Sequence, residues 1–199
     1  MFKPNEREYR LAEPFQIEQN EAQELRLKGL PVVFNRETVL WEFEGIQYKE
    51  IIAGDALEGC DMSDFILNRN HGQNDSTVFA RTKNGSLTFA VTPAGLEVDA
   101  LLDPEDERHV NLYRDIQKGR IDKMSFAFTV RADEYDRKTH TRTITKIAKL
   151  FDVSAVDFPA YNDTAIGTVR DFFTEDYRDE FRELEQARRR QLLIAKTLL

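Results

Sequence analysis

Three residues of the types that activate a hydroxyl group stand beside or within apolar segments. His71 lies in NRNHGQND, directly after a short apolar run, and Ser125 lies in KMSFAFTV, at the start of a long one. Asp152 lies in LFDVSAV, where it is a carboxylate in otherwise apolar surroundings. Serine, histidine and a carboxylate together supply a nucleophile, a general base and the group that orients the base. Their spacing along the chain leaves open whether the three residues meet.

Each of these residues also has an ordinary structural explanation. A loop histidine such as His71 is usually just solvated, and a strand serine such as Ser125 usually satisfies a backbone group. A buried carboxylate needs a hydrogen-bonding partner in any fold, because burying it bare costs several kcal/mol. Of the remaining histidines, we expect His109 on a solvated helix face and His140 exposed at a charged hairpin tip.

The motifs of metal- and cofactor-dependent enzymes do not occur in the sequence. It has three histidines and contains no HxH or HExxH spacing, no Walker loop, no GxGxxG and no GxSxG elbow. The single cysteine, Cys60, excludes an internal disulfide framework and a thiolate zinc cluster. A metal hydrolase using His71 and the nearby Asp75 is an alternative that offers too few ligands. We therefore predict no cofactor and no metal.

The composition disfavours nucleic acids and membranes as partners. The chain has 199 residues, of which 28 are basic and 36 acidic, so its formal net charge is −8. Such a balance argues against a general surface for nucleic acid or anionic lipid. No apolar run approaches the roughly 18–20 residues of a membrane span, and the N-terminus lacks a signal-peptide core. We expect a soluble protein of a reducing compartment.

Short apolar segments separated by turn residues run from Gly29 to about Ala160 and predict a mostly antiparallel β-domain. The Asn84-Gly85 pair is typical of a hairpin turn, because both residue types tolerate positive φ. One helical pattern interrupts the strands at 104–118 and is followed by a glycine placed to end it. The predicted strands cover residues 29–35, 41–52, 64–70, 78–82, 86–91, 96–101, 124–134 and 141–155.

The two ends of the chain lack this alternation. Residues 1–28 are polar and show no sustained period, so we expect a mobile or irregular N-terminal arm. From Thr174 the sequence has no glycine or proline, and acidic residues follow this N-cap candidate, so we expect a helical tail over 171–199. The folded domain is predicted between them, at 29–170.

A set of segments follows in a specific order between Gly29 and Val169. They are PVVFN, YKEIIAGDAL, NRNHG, ARTKNGSLTF, TPAGLEVDALL, KGRIDKMSFAFTV and RTITKIAKLFDVSAVDFPAYNDTAI. In this order they resemble the prohead (capsid maturation) proteases of tailed bacteriophages, a family distantly similar to the herpesvirus assemblin serine proteases. The resemblance implies a mainly β fold with peripheral helices (α+β), built on an antiparallel β-barrel of the herpesvirus-protease type, with a helical C-terminal tail.

The resemblance also implies roles for individual residues. His71 matches the general base of the family and Ser125 matches its nucleophile. Asp152 is our candidate for the third member, at a position where the family usually has glutamate. Gly72 stands where the family usually has an acidic residue. Backbone amides near Ser125, an ordered water or Arg131 are the candidates for the oxyanion hole.

The herpesvirus relatives use a second histidine as the third member of the site. Neither His109 nor His140 falls at a position that resembles it, which is why we favour the carboxylate.

The function implied by the resemblance is that of a serine endopeptidase of prohead maturation. It would act without a cofactor inside the immature capsid in the host cytoplasm. Its substrates would be the scaffold protein or the scaffold-like arm of the major capsid protein, and the protease itself. A homo-oligomer is left open. The alternative is a catalytically inactive capsid-assembly or scaffold-interacting β-domain, in which the three residues are vestigial.

Overall fold

The computed structural model describes residues 7–12, 14–18, 24–43, 45–73, 77–157 and 175–197. Within these ranges the chain forms eleven β-strands and two α-helices, which confirms the predicted mainly β (α+β) class. The strands are β1 (Arg7–Ala12), β2 (Gln16–Glu18), β3 (Leu25–Val33), β4 (Thr38–Phe43), β5 (Ile46–Ile52), β6 (Ile66–Arg69), β7 (Ala80–Arg81), β8 (Leu87–Thr92), β9 (Gly95–Leu102), β10 (Lys123–Asp136) and β11 (Thr141–Val156). The helices are α1 (Glu107–Gln117) and α2 (Glu175–Thr197).

The described strands form two sheets. The first has the order β1-β10-β11-β5-β4, with β6 also paired to β11 and β7 paired to β6. The second has the order β2-β3-β9-β8. Most pairs are antiparallel as predicted, but β11 runs parallel to both β5 and β6. The hydrogen-bonded pairings within the described ranges do not close into a single barrel.

Two long strands, β10 and β11, form the centre of the first sheet. They pair as a hairpin whose ladder contains several bulges. The first half of β10 is buried from Met124 to Val130, on both faces, because other elements cover each side of it. β11 is long enough to pair with β5 through residues 141–144 and with β6 through residues 152–155. β11 therefore lies between β6 and the buried half of β10.

The second sheet shows the expected alternation of apolar and polar residues. In β9, Leu96, Val98 and Ala100 are buried while the residues between them are more exposed. The strand begins at Gly95, whose φ is +150°, and a Cβ there would lie 1.8 Å from the carbonyl oxygen of Val32. Only glycine fits this close approach of two backbones.

The Asn84-Gly85 turn is present but does not join a hairpin. Gly85 has a φ of +79°, as a turn glycine should, whereas Asn84 ends a short 3₁₀ turn. The strand before this turn, β7, pairs with β6 of the first sheet, and the strand after it, β8, pairs with β9 of the second. The turn therefore carries the chain from one sheet to the other, and the predicted hairpin pairing is wrong.

Strands also form where an irregular N-terminal arm was expected. β1 pairs with β10 over residues 7–12, and β2 pairs with β3. The sequence does not predict β1 because the residues buried on this strand, Glu8 and Arg10, are charged and give no apolar alternation. Their charges are neutralised by partners distant in sequence. The local pattern of apolar and polar residues therefore does not indicate that they are buried.

The described residues belong to two compact units, the β-domain and a unit that contains α2. The helical tail predicted after Thr174 is present as α2, while Thr174 itself lies outside the described residues. Within the described ranges, no helix combines the length and apolar character needed to cross a membrane.

Candidate active site

The side chains of His71, Ser125 and Asp152 form one hydrogen-bonded row. The Nε2 atom of His71 lies 2.8 Å from the Oγ of Ser125, and its Nδ1 atom lies 2.6 Å from the Oδ1 of Asp152. Ser125 is 4% exposed, and the side chains of His71 and Asp152 are 10% and 5% exposed. Residues separated by 54 and 81 positions along the chain are thus brought together in a largely buried site.

The partners of the imidazole determine its tautomer. A carboxylate accepts hydrogen bonds, so the proton on the ring is at Nδ1, where it is donated to Asp152. Nε2 then carries a lone pair and accepts the hydroxyl proton of Ser125. This arrangement places a base at the serine hydroxyl and an anion behind the base, as nucleophilic acyl transfer requires.

Strand register explains why the three side chains converge. Ser125 on β10 pairs with Ser154 on β11, which pairs in turn with Asn68 on β6. Paired residues point to the same face of a sheet, as do residues two apart on one strand. Asp152 therefore shares a face with Ser125, and the chain that leaves the end of β6 carries His71 over that face.

His71 lies in a left-handed turn. Asn70, His71 and Gly72 have φ values of 49°, 54° and 74°, a conformation that non-glycine residues adopt at a cost. Ser154, which is fully buried, accepts the backbone N–H of His71 at 2.8 Å. This hydrogen bond helps to hold the turn against the strand that carries the carboxylate.

Asp157, just after β11, holds the same turn from the other side. Its carboxylate accepts hydrogen bonds from the guanidinium of Arg69 at 2.7 Å and from the side-chain amide of Asn70 at 2.9 Å. Its backbone N–H donates to Asn70. Burial opposes the charge on Asp157, but the hydrogen bonds from Asn70 and Arg69 outweigh it and lower the pKa of the carboxyl.

Both departures implied by the resemblance, Gly72 and Asp152, fit this geometry. Gly72 has a positive φ, which glycine adopts without strain and an acidic residue would not. Asp152 is one methylene shorter than glutamate, yet its carboxylate is within hydrogen-bonding distance of His71.

The other two histidines lie elsewhere, and neither is as exposed as predicted. His109 is buried on α1, packs against Phe79 and accepts the backbone N–H of Asp103 at 3.0 Å. The expectation of a solvated helix face is wrong for it, because its imidazole satisfies the loop that precedes the helix. His140 is half-buried, with its ring against Tyr48.

Among the described residues, Arg131 and Cys60 lie outside the row. Arg131 lies on β10 six residues beyond Ser125, a distance of roughly 20 Å along a strand, which is too far for the oxyanion hole. Asp75 lies outside the described residues. Burial raises the pKa of the Cys60 thiol to about 11, so this cysteine is a poor nucleophile. Among the described residues, no group of three or more histidine, cysteine or acidic side chains could hold a metal ion.

Sequence reasoning missed three residues that touch the site or its turn. They are Ser154, Asp157 and Tyr9, whose ring lies against His71 with the two centroids 4.5 Å apart. Ser154 could have been predicted from the sequence, since it lies two positions after Asp152 on the same strand and therefore points to the same face. Tyr9 gave no signal, because the segment around it was not recognised as a strand.

Comparisons with known proteins agree with this geometry. No curated protein and no solved structure matches the chain significantly. A family model described as caudovirus prohead serine protease matches residues 13–178, which is most of the chain and includes all three residues of the hydrogen-bonded row. The chain therefore belongs to the caudovirus prohead serine proteases, the serine endopeptidases of phage capsid maturation.

Proposed function

We propose that His71, Ser125 and Asp152 are the catalytic residues of this protease. The observation that carries the proposal is the unbroken row from the Ser125 hydroxyl through the imidazole to the carboxylate, with contacts of 2.8 and 2.6 Å. Both distances lie within the range for direct proton transfer and orientation, about 2.6–3.2 Å.

The reaction follows from the positions of the protons. As the Oγ of Ser125 attacks a peptide carbonyl, Nε2 of His71 takes the hydroxyl proton, and Asp152 stabilises the resulting imidazolium. The imidazolium then gives this proton to the leaving amine as the C–N bond breaks, which leaves an acyl-serine. Water attacks the acyl group, loses a proton to the same nitrogen, and the proton returns to Ser125 as the acid product leaves.

The proposed substrates are the scaffold protein, the scaffold-like arm of the major capsid protein, and the protease itself. The family supports this assignment, since maturation of a prohead requires cleavage of proteins that line its interior. The proposed site of action is accordingly the inside of the immature capsid, in the host cytoplasm.

The proposed architecture is a barrel built from the two sheets. β1 of the first sheet lies against β3 of the second, while β7 lies against β8 and β9. The proximity of these strands supports closure of the two sheets into a barrel. We place the protease domain at 29–170, complemented by β1 from the first 28 residues, with the helical tail at 171–199.

Co-expression with the major capsid protein, followed by mass mapping of new termini, tests the function. Ser125→Ala should fold, because it removes one small hydroxyl, yet it should lose on the order of 10³–10⁶ in cleavage rate. Ser63→Ala is the matched control, since Ser63 is exposed and bonded only to the nearby Asp61 among described contacts. Cleavage at the normal rate by Ser125→Ala would overturn the assignment and favour an inactive assembly domain.

A further inference from the structure

A second row of paired residues lies beside the one that contains Ser125. Tyr9 on β1 pairs with Ala127 on β10, and Ala127 pairs with Asp152 on β11. The three side chains share the face of the sheet on which His71 lies. Ala127 lies between Tyr9 and Asp152 in this row, is fully buried and has only a methyl side chain.

The imidazole of His71 contacts the side chains on both sides of Ala127. It bonds to Asp152 on one side, and the ring of Tyr9 packs edge-on against it, with centroids 4.5 Å apart and an interplanar angle of 64°. Edge-to-face contacts at this separation are favourable and directional. The tyrosine thus limits movement of the imidazole away from the carboxylate.

The strand that carries Tyr9 is fixed by buried charges on its opposite face. Glu8 receives a two-pronged hydrogen bond from Arg142, at 2.6 and 3.0 Å. Arg10 forms a similar fork with Glu50, with two contacts of 2.6 Å. These pairs tie β1 to β11 and β5, with each side chain 10% exposed or less. Fork-shaped pairs of this kind fix orientation as well as distance.

We propose that Tyr9 is a positioning residue that holds the imidazole of His71 in line with Ser125, so that β1 is a working part of the active site. The inference rests on the proposed catalytic role of His71. The ring supplies the contact and the hydroxyl is not required. The polar N-terminal segment that the sequence predicts as an irregular arm therefore contributes, through Tyr9 on β1, a side chain to the site.

Three variants of the full-length chain test the proposal. Tyr9→Leu removes the aromatic contact and should lower kcat for capsid cleavage by about 10- to 100-fold, because small misplacements of a catalytic group have effects of this order. KM should change little. Tyr9→Phe keeps the ring and should restore activity. Arg7→Ala is the same-strand control, since Arg7 stacks on Phe151 and not on the imidazole.

Two readouts separate positioning from a structural role. The first is the rate at which a fluorophosphonate probe labels Ser125, where the P–O bond forms as fluoride leaves and the hydroxyl proton passes to His71. This rate should fall in Tyr9→Leu and not in Tyr9→Phe. The second is the NMR signal of the carbon-bound protons of the His71 ring, which should shift when the neighbouring aromatic ring is lost.

The outcomes distinguish this inference from the proposed function. Normal labelling and cleavage by Tyr9→Leu, with Ser125→Ala inactive, would overturn the positioning role alone. Activity in Ser125→Ala would overturn the catalytic assignment on which it rests. If Tyr9→Leu fails to fold, Tyr9→Met takes its place, since it fills the space without an aromatic ring. Slower labelling of Tyr9→Met than of Tyr9→Phe would support the proposal, and equal labelling of the two folded variants would overturn it.

Discussion

At the level of single residues, the carboxylate of Asp152 completes the hydrogen-bonded row. Asp152 lies deep in the sheet, on the strand next to Ser125, and it bonds to the imidazole at 2.6 Å. Parallel pairing of β6 with β11 brings the turn after β6 close to this strand, so the carboxylate does not need the extra reach of glutamate. The geometry supports a direct role in orienting the base.

Replacement of Asp152 tests that role. Asp152→Asn keeps the size and removes the charge, so the imidazole loses its anionic partner and its fixed tautomer. The corresponding change in serine proteases with a Ser-His-Asp triad costs about 10⁴ in turnover, and we expect a loss of about 10²–10⁴ here. Asp152→Glu keeps the charge but adds a methylene to a filled site, which should give activity between that of Asp152→Asn and that of the unaltered chain. Turnover near normal in folded Asp152→Asn would show that the carboxylate only braces the sheet.

Combining substitutions tests whether His71 and Ser125 act together. His71→Ala should lose as much activity as Ser125→Ala, and the double variant should be no worse than either single one, because catalytic groups that act as a unit are not additive. Additive losses, measured as rates of capsid cleavage, would show that the two residues act separately.

At the level of elements, β11 contributes other contacts to the site besides the carboxylate of Asp152. It also supplies Ser154, which accepts the backbone N–H of His71. The residue that follows β11, Asp157, accepts hydrogen bonds from Arg69 and Asn70, the two residues before His71. One strand therefore positions both the carboxylate of Asp152 and the turn that carries His71.

Ser154→Ala tests the contribution of this strand to the turn. The change leaves the buried N–H of His71 without its partner, at a cost of about 1–3 kcal/mol in the free energy of unfolding. A left-handed turn needs such contacts to persist, so their loss should let the imidazole of His71 move away from Ser125. We therefore expect kcat and the rate of fluorophosphonate labelling to fall by about tenfold, with KM unchanged. Ser63→Ala should change neither quantity. A loss of stability with unaltered labelling would assign Ser154 to the fold alone.

The sequence predicted elements with a strong local signal and missed those defined by distant partners. Alternation or continuous apolar runs marked most of the strands from β3 to β11, and the glycine after α1 has the positive φ expected at its end. β1 was missed because its buried residues are charged, and their partners, Glu50 and Arg142, are far away in sequence. The hairpin at Asn84 was mispaired, since turn chemistry does not specify which sheet each strand joins.

The same limit applies to the candidate site. The residue types and the family resemblance single out His71, Ser125 and Asp152 from the sequence alone. The left-handed turn at His71, the hydrogen bond from its backbone to Ser154 and the ring of Tyr9 all depend on strand register. A shift of register by one residue would move these contacts to the other face, and no local pattern fixes it.

At the level of the whole molecule, a cluster of buried charges joins strands that are distant in sequence. Arg10 and Arg142 lie among Glu8, Glu50 and Asp133, on β1, β5, β10 and β11. Desolvation makes such clusters weak sources of net stability, but removing one member leaves an uncompensated buried charge. The cluster therefore determines where β1 pairs, more than how stable the domain is.

Acid unfolding tests this cluster. Burial opposes ionisation of Glu8, but Arg10 and Arg142 outweigh it and hold its pKa below the ordinary value of 4.5. A carboxyl with a lowered pKa in the folded state stabilises the fold above its unfolded value, and that stabilisation is lost as the pH falls through the folded value. The thermal unfolding midpoint should thus be nearly constant from pH 7 to about pH 5 and should fall below about pH 4.5.

The variant Glu8→Gln separates the cluster from the exposed carboxylates. It removes the titrating group, so it should be less stable than the unaltered chain at pH 7, by about 3–5 kcal/mol if the buried pair is broken. Its stability should then depend less on pH below 4.5. Asp106→Asn is the matched control, because Asp106 also has a lowered pKa but caps α1 at the surface. The unfolding midpoints of Glu8→Gln and of the unaltered chain are measured by calorimetry at each pH. If both midpoints fell equally below pH 4.5, protonation of Glu8 in the buried cluster would not be a cause of acid unfolding.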